Sequence, residues 1–264
     1  MNQFVSKHRL VFFYVFAFII SWAAWILMSR VYTGGQPGML TYLFSSVGGL
    51  GPLLSLLLLQ TLTRQEINLK DILSKIKIRG VKNPWAVPAI VGIPVITLLG
   101  NIGYFILGKE DQLRIIQSGP DELGYAVVLV MAVQFTAGLV TSPLFEEPGW
   151  RGFALGSFQK KFGKTLGSLV VGLLWWLWHQ PMNLTFGLQP SLYSALTMVT
   201  ISFLIDSLFN LSNQNLFTAM LTHQSYGTVN TFLYKGSQNW LILGLLIGFM
   251  ILIRVIEYSK KPKI

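Results

Sequence analysis

The sequence predicts an all-α protein, a polytopic bundle of about eight helices crossing a membrane with both termini on the cytoplasmic side. Three observations carry that prediction. Of 264 residues, 52% are hydrophobic and only 11% charged, far from the balance of a soluble domain. Apolar runs long enough to cross a bilayer recur along the whole chain. Between them, short loops alternate between rich and poor in lysine and arginine, which orients the spans.

The runs cover about 11–29, 40–62, 84–107, 125–147, 166–185, 190–209, 214–233 and 237–256. Lys7 and Arg9 precede the first, which is too long for a signal segment, lacks a small-residue cleavage site and is read as a retained span. Arg64, Lys70, Lys75, Lys77, Arg79 and Lys82 fill the second loop, Lys160, Lys161 and Lys164 the fourth. Arg254, Lys260, Lys261 and Lys263 close the chain. All fall on one side. The other side holds Arg30, Lys109, Arg114 and Lys235. Leu69, Ile72, Leu73 and Ile76 recur at helical spacing among lysines, which predicts a short helix in the inner membrane face. Pro84, Pro88 and Pro94 make the third span kink-prone. Polar breaks at Gln189-Pro190 and Ser212 to Gln214 leave room for a re-entrant segment within 186–215. No repeat or soluble domain is visible, so 1–264 reads as a single membrane-embedded unit.

The formal charge of +10 does not point to nucleic acid. Its basic residues sit in loops, where they meet lipid headgroups. With no cysteine, disulfides, thiolate metal sites and thiol nucleophiles are excluded.

Ionisable groups at membrane depth are costly and mark functional sites by default. They converge on Ser142 to Leu155, S-P-L-F-E-E-P-G-W-R-G-F-A-L. Adjacent helical residues point about 100° apart, so Glu146 and Glu147 cannot share one role. Glu147 and Arg151, four apart, can pair, which leaves Glu146 to take a proton from water. Pro148 and Gly149 predict a kink there. Counted from the basic turn at Lys160 to Lys164, Glu146 and His179 each lie roughly 21–22 Å along their helices and should face one another. His223 should lie about 15–18 Å from the inner surface, so that the three line one cavity open to the cytoplasm. Asn183, four after His179, and Asn230, seven after His223, are candidate oxyanion donors. Asp206 is expected at a membrane interface or a helix cap, and the tryptophans at 175, 176 and 178 as cavity wall. His8 reads as a headgroup-contacting tail residue.

These residues resemble the CPBP intramembrane proteases, which comprise the type II CAAX prenyl endopeptidases and the Abi-like bacteriocin-processing and self-immunity proteins. The family pattern of E-E-x-x-x-R, aromatic-x-x-x-His and His-x-x-x-Asn or small is met by Glu146 to Arg151, Trp175 to His179 and His223 to Gly227, within about 130–232. The resemblance implies an eight-span endopeptidase. Glu146 would be general base with His179, His223 would help bind the oxyanion, and Glu147 and Arg151 would hold the site in shape. Trp175 stands where phenylalanine is common, a change a cavity wall should tolerate. Gly227 stands where prenyl-protein processing members tend to carry asparagine, which weakens the case for a prenylated substrate. Zinc held by Glu146, His179 and His223 is one option, and metal-independent water activation, slightly favoured, the other. The expected partner is a peptide or membrane-associated protein in the cytoplasmic membrane of a bacterium. Competing readings are a non-catalytic immunity or scaffold protein of the same fold, a small-molecule transporter, and a haem held by His179 and His223.

Overall fold

The computed structural model describes residues 2–64, 66–78, 83–110, 113, 115–116, 126–234 and 239–260. Arg79, Lys82, Arg114, Lys235, Lys261 and Lys263, which entered the charge argument, lie outside them. Among the described residues the chain is helical, with a single isolated antiparallel bridge between Ile116 and Leu233. The helices are α1 (Asn2–Lys7), α2 (Arg9–Val31), α3 (Met39–Gly49), α4 (Gly51–Leu62), α5 (Leu69–Leu73), α6 (Ala86–Ile106), α7 (Ala126–Gly138) and α8 (Ser142–Glu147). After a π-helical segment (Pro148–Leu155) come α9 (Gly156–Trp178), α10 (Gln180–Thr185), α11 (Leu192–Leu211), α12 (Leu216–Phe232) and α13 (Trp240–Ser259).

Five helices or helical runs are long and apolar enough to cross a membrane, or six if the bent pair α3 and α4, at 46°, is one broken span. Large apolar side chains stand exposed on them, Ile19 at 62% and Leu129 at 66%, as expected of surfaces facing lipid. This is an integral membrane protein. The number is below eight because 126–185 forms one nearly continuous run, and because α12 has only 17 residues. That run contains a reversal. Gly163 adopts φ 79° inside α9, a conformation open to glycine at little cost, and beyond it Ser168 returns to within 3.2 Å of Gln159. Nine residues apart in a straight helix would be roughly 13 Å. The basic turn expected at Lys160 to Lys164 is therefore present.

The chain divides into two compact units, Met1–Ile76 with Leu144–Val199 and Lys77–Pro143 with Thr200–Ile264. In the first, α2 packs on α3 and α4 through small residues and hydroxyls, the device that brings helices close where no hydrophobic force separates them from lipid. Ser21 donates to the Gly48 carbonyl at 2.6 Å and Ser55 to the Phe13 carbonyl at 2.7 Å. A Cβ at Gly51 would meet Ser21 Oγ at 2.0 Å and the Ala17 carbonyl at 2.8 Å. The short helix of the second loop forms as α5, with Asn68 capping it by accepting from the Lys70 amide at 2.9 Å.

In the second unit α6 is continuous despite Pro94 and packs on α12, where Ser225 donates to the Ile90 carbonyl at 2.8 Å. Residues 192–211 form one uninterrupted helix rather than a re-entrant segment. Two charges differ from expectation. Asp206 is fully buried in α11, not at an interface or cap, because every residue of 200–209 in that helix is buried. Arg254 is buried within α13 rather than following the last span. It pairs with Glu257 at 2.6 Å and donates to Ser207 at 3.0 Å, while Asn210 donates to Glu257 at 2.8 Å. Glu257 and Ser207 thereby meet the guanidinium at Nη1 inside the protein.

Gly51→Ala should lower the apparent melting temperature in detergent by about 5 °C, since overpacking against backbone costs about 1–3 kcal/mol. Gly156→Ala, whose added Cβ meets nothing within 4 Å, should leave it unchanged. Fluorescence-detected size exclusion after heating measures both.

Candidate active site

The first motif straddles a change of helical type. α8 ends at Glu147 and the chain continues into the π-helical segment, P-G-W-R-G-F-A-L. Pro148 brings no backbone donor, and the i to i+5 pattern of a π segment recurs at functional sites because it re-aims side chains within a helix. Here it buries Trp150, Arg151, Ala154 and Leu155 together.

The two carboxylates are met by different groups, as adjacent helical positions require. Glu147 pairs with Arg151 at 3.1 Å, both side chains fully buried. Glu146, 2% exposed, accepts the Trp175 indole N–H at Oε2 at 2.8 Å. The contact joins the two arms of the Gly163 hairpin. Trp175 in turn lies one turn before His179, whose Nδ1 is 2.8 Å from the Trp175 carbonyl. A carbonyl only accepts, so Nδ1 carries the proton in this contact. The depth argument from the sequence thus holds for Glu146 and His179, since both meet Trp175. The Asn183 amide donates to the His179 carbonyl at 3.0 Å, which puts Asn183 one turn further along the same face.

Aromatic rings surround this group. The Arg151 guanidinium lies 5.3 Å from the Trp175 ring centroid, within cation–π range. Trp178 packs edge-on against His179 at 4.7 Å and against Trp150 at 5.4 Å. Trp150 and Trp178 bury their indole nitrogens without a hydrogen-bond partner, so their place here is packing. Trp22 donates to the Trp178 carbonyl at 3.0 Å, tying α2 to the break between α9 and α10. Trp176 donates to Ser194 at 3.3 Å.

His223 and Asn230 lie on α12 in the second unit. Within it, His223 Nε2 is 3.4 Å from Ser142 Oγ, and Asn230 hydrogen-bonds Tyr226. The neighbouring Gln224 reaches Gln134 Oε1 at 3.4 Å and Thr228 at 3.4 Å, and Thr228 donates to Gln134 at 2.9 Å. A Cβ at Gly138 would meet Gln224 at 2.2 Å. Ser142 and this amide network were missed from the sequence. Their only signal was polarity inside the fourth and seventh apolar runs.

Within each unit, no three histidine, aspartate or glutamate side chains among the described residues gather into a metal-holding group.

A carboxylate and an imidazole bound to the two ends of one buried tryptophan are also what comparison with known proteins bears on. Residues 128–229 match the family model of the type II CAAX prenyl endopeptidase Rce1-like proteins. The matched segment is similar to that family. Over 44 residues the chain is 41% identical to CAAX prenyl protease 2 of Methanococcus maripaludis, a stretch covering 17% of this chain and 16% of that relative. The Rce1-like segment takes in Glu146, Glu147, Arg151, His179 and His223.

Removing one partner of a buried ion pair leaves an uncompensated charge and costs about 3–5 kcal/mol, whereas replacing both with apolar groups of similar volume does not. Arg151→Met alone should therefore sharply reduce the yield of monodisperse protein. Glu147→Leu with Arg151→Met should restore most of it, as read by thermal unfolding in detergent.

Proposed function

We propose that the protein is an intramembrane endopeptidase of the CAAX type, hydrolysing a peptide bond with water activated by Glu146 and His179. The single observation that carries this is the shared anchoring of the two groups on Trp175, at 2.8 Å from its indole nitrogen and 2.8 Å from its carbonyl. The Rce1-like match over 128–229 supports the reaction class. The Glu146 carboxylate takes a proton from water as the oxygen adds to the scissile carbonyl carbon, and the imidazole accepts a hydrogen bond from the same water at Nε2. The tetrahedral intermediate collapses when the carbon–nitrogen bond breaks and the proton on Glu146 passes to the leaving amine. No step needs a redox partner or a covalent enzyme intermediate. Glu147 and Arg151 hold the turn that carries Glu146. The family resemblance gives His223 the oxyanion, with Asn183 or Asn230 as a further donor.

The substrate is a peptide or membrane-associated protein, either a lipidated C-terminal sequence or a bacteriocin or signal peptide, cut in a cavity reached from the cytoplasm. An eight-span topology with both termini inside follows from the distribution of lysine and arginine, and the membrane would be the cytoplasmic membrane of a bacterium. Zinc is left to the chelator arm of the test below.

Purified protein in detergent should cleave members of a peptide library that includes farnesylated C-terminal peptides. Glu146→Ala and His179→Ala should each lower kcat by at least about a hundredfold, the scale of general-base catalysis. Loss of cleavage on chelation, restored by zinc, would assign a metal to the reaction. Cleavage undiminished in Glu146→Ala would overturn the assignment, as would a wild-type protein that cuts nothing in the library or in its native membrane. Replacing Asn183 and Asn230 by Ala, one at a time, identifies the oxyanion donor as the position whose loss lowers kcat and leaves KM unchanged.

A further inference from the structure

We propose that Trp175 is a positioning residue that orients both water-activating groups through two different atoms, a role that rests on the hydrolytic reading above. Its indole Nε1–H donates to Glu146 Oε2 at 2.8 Å, and its main-chain carbonyl takes the Nδ1 proton of His179 at 2.8 Å. Its ring stands edge-on to the imidazole at 5.0 Å and receives the Arg151 guanidinium at 5.3 Å. One side chain thus touches the proposed base, its partner histidine and the cation that neutralises Glu147.

The indole bond is the part that the sequence pattern does not require. A phenylalanine at 175 would keep a ring for Arg151 and His179 and keep the carbonyl for Nδ1, but it has no N–H. A tyrosine carries its donor at the far end of the ring, displaced from the position of Nε1. At 1% and 2% exposure, Trp175 and Glu146 meet where water does not compete, and a hydrogen bond to a charged acceptor is stronger than a neutral one. With Oε2 held by the indole, the carboxylate is restrained in rotation. This chain therefore sets its base with a side-chain donor from the second arm of the hairpin rather than with packing alone.

Trp175→Phe removes that bond and part of the ring. On the peptides that the wild type cleaves, it should lower kcat on the order of tenfold, with KM within about twofold and a lowered melting temperature that still leaves the protein folded. Unchanged kcat, or a raised KM with kcat preserved, would make Trp175 a wall of the cavity and overturn the proposal. The ultraviolet resonance Raman band that reports indole N–H hydrogen bonding supplies a readout independent of cleavage. The wild-type minus Trp175→Phe spectrum should show one strongly bonded indole, weakened by the isosteric change Glu146→Gln, which replaces a charged acceptor with a neutral one. A band that Glu146→Gln leaves unmoved overturns the proposal, whether or not any peptide is cut. Absence of cleavage by the wild type counts against the hydrolytic reading alone.

Discussion

A charge taken out of water must be met by a partner within hydrogen-bond reach, and the first unit is arranged around that constraint. Glu147 and Arg151 satisfy each other inside one turn. Glu146 takes a donor from another arm of the chain, the Trp175 indole. The buried pair adds little net stability by itself, since desolvation offsets most of the attraction. Its effect is on geometry. With Arg151 held by Glu147 on one side and against the Trp175 ring on the other, the π-helical segment and α9 are locked at the depth where Glu146 meets Trp175.

Much of this was legible in the sequence because charges are so rare in it. In a chain only 11% charged, Glu146, Glu147, Arg151 and His179 stand out without any knowledge of the fold. Counting residues outward from a basic turn locates them in depth because helical rise is constant. The hairpin was readable for the same reason, through Lys160, Lys161 and Lys164. What the sequence does not carry is lateral contact. Trp175 looked like cavity wall because an aromatic ring at helical spacing is ordinarily packing, and nothing in its spacing tells which of its edges faces a carboxylate. Pro148 and Gly149 open the π-helical segment, at the position where the sequence predicts a kink.

Burial misled in the opposite direction at Asp206 and Arg254. Each sits near the end of an apolar run, where an interface is the ordinary expectation for a charge. Arg254 instead finds Glu257 three residues on and Ser207 on α11. A polar side chain near a helix end can be drawn inward whenever a neighbouring helix offers matching groups, and hydropathy alone does not see the neighbour. The run 126–185 is divided where the sequence places its basic turn, Lys160 to Lys164, by the conformation of Gly163.

The reversal at Gly163 has an evolutionary consequence. The bond between Glu146 and Trp175 joins residues 29 apart in sequence, and both lie on consecutive arms of one hairpin, so the group of Glu146, Trp175 and His179 travels as a contiguous cassette. Substitutions elsewhere in the bundle can reshape what is admitted to the site while this cassette stays intact. A scaffold of this kind can diversify in specificity without having to reinvent its chemistry.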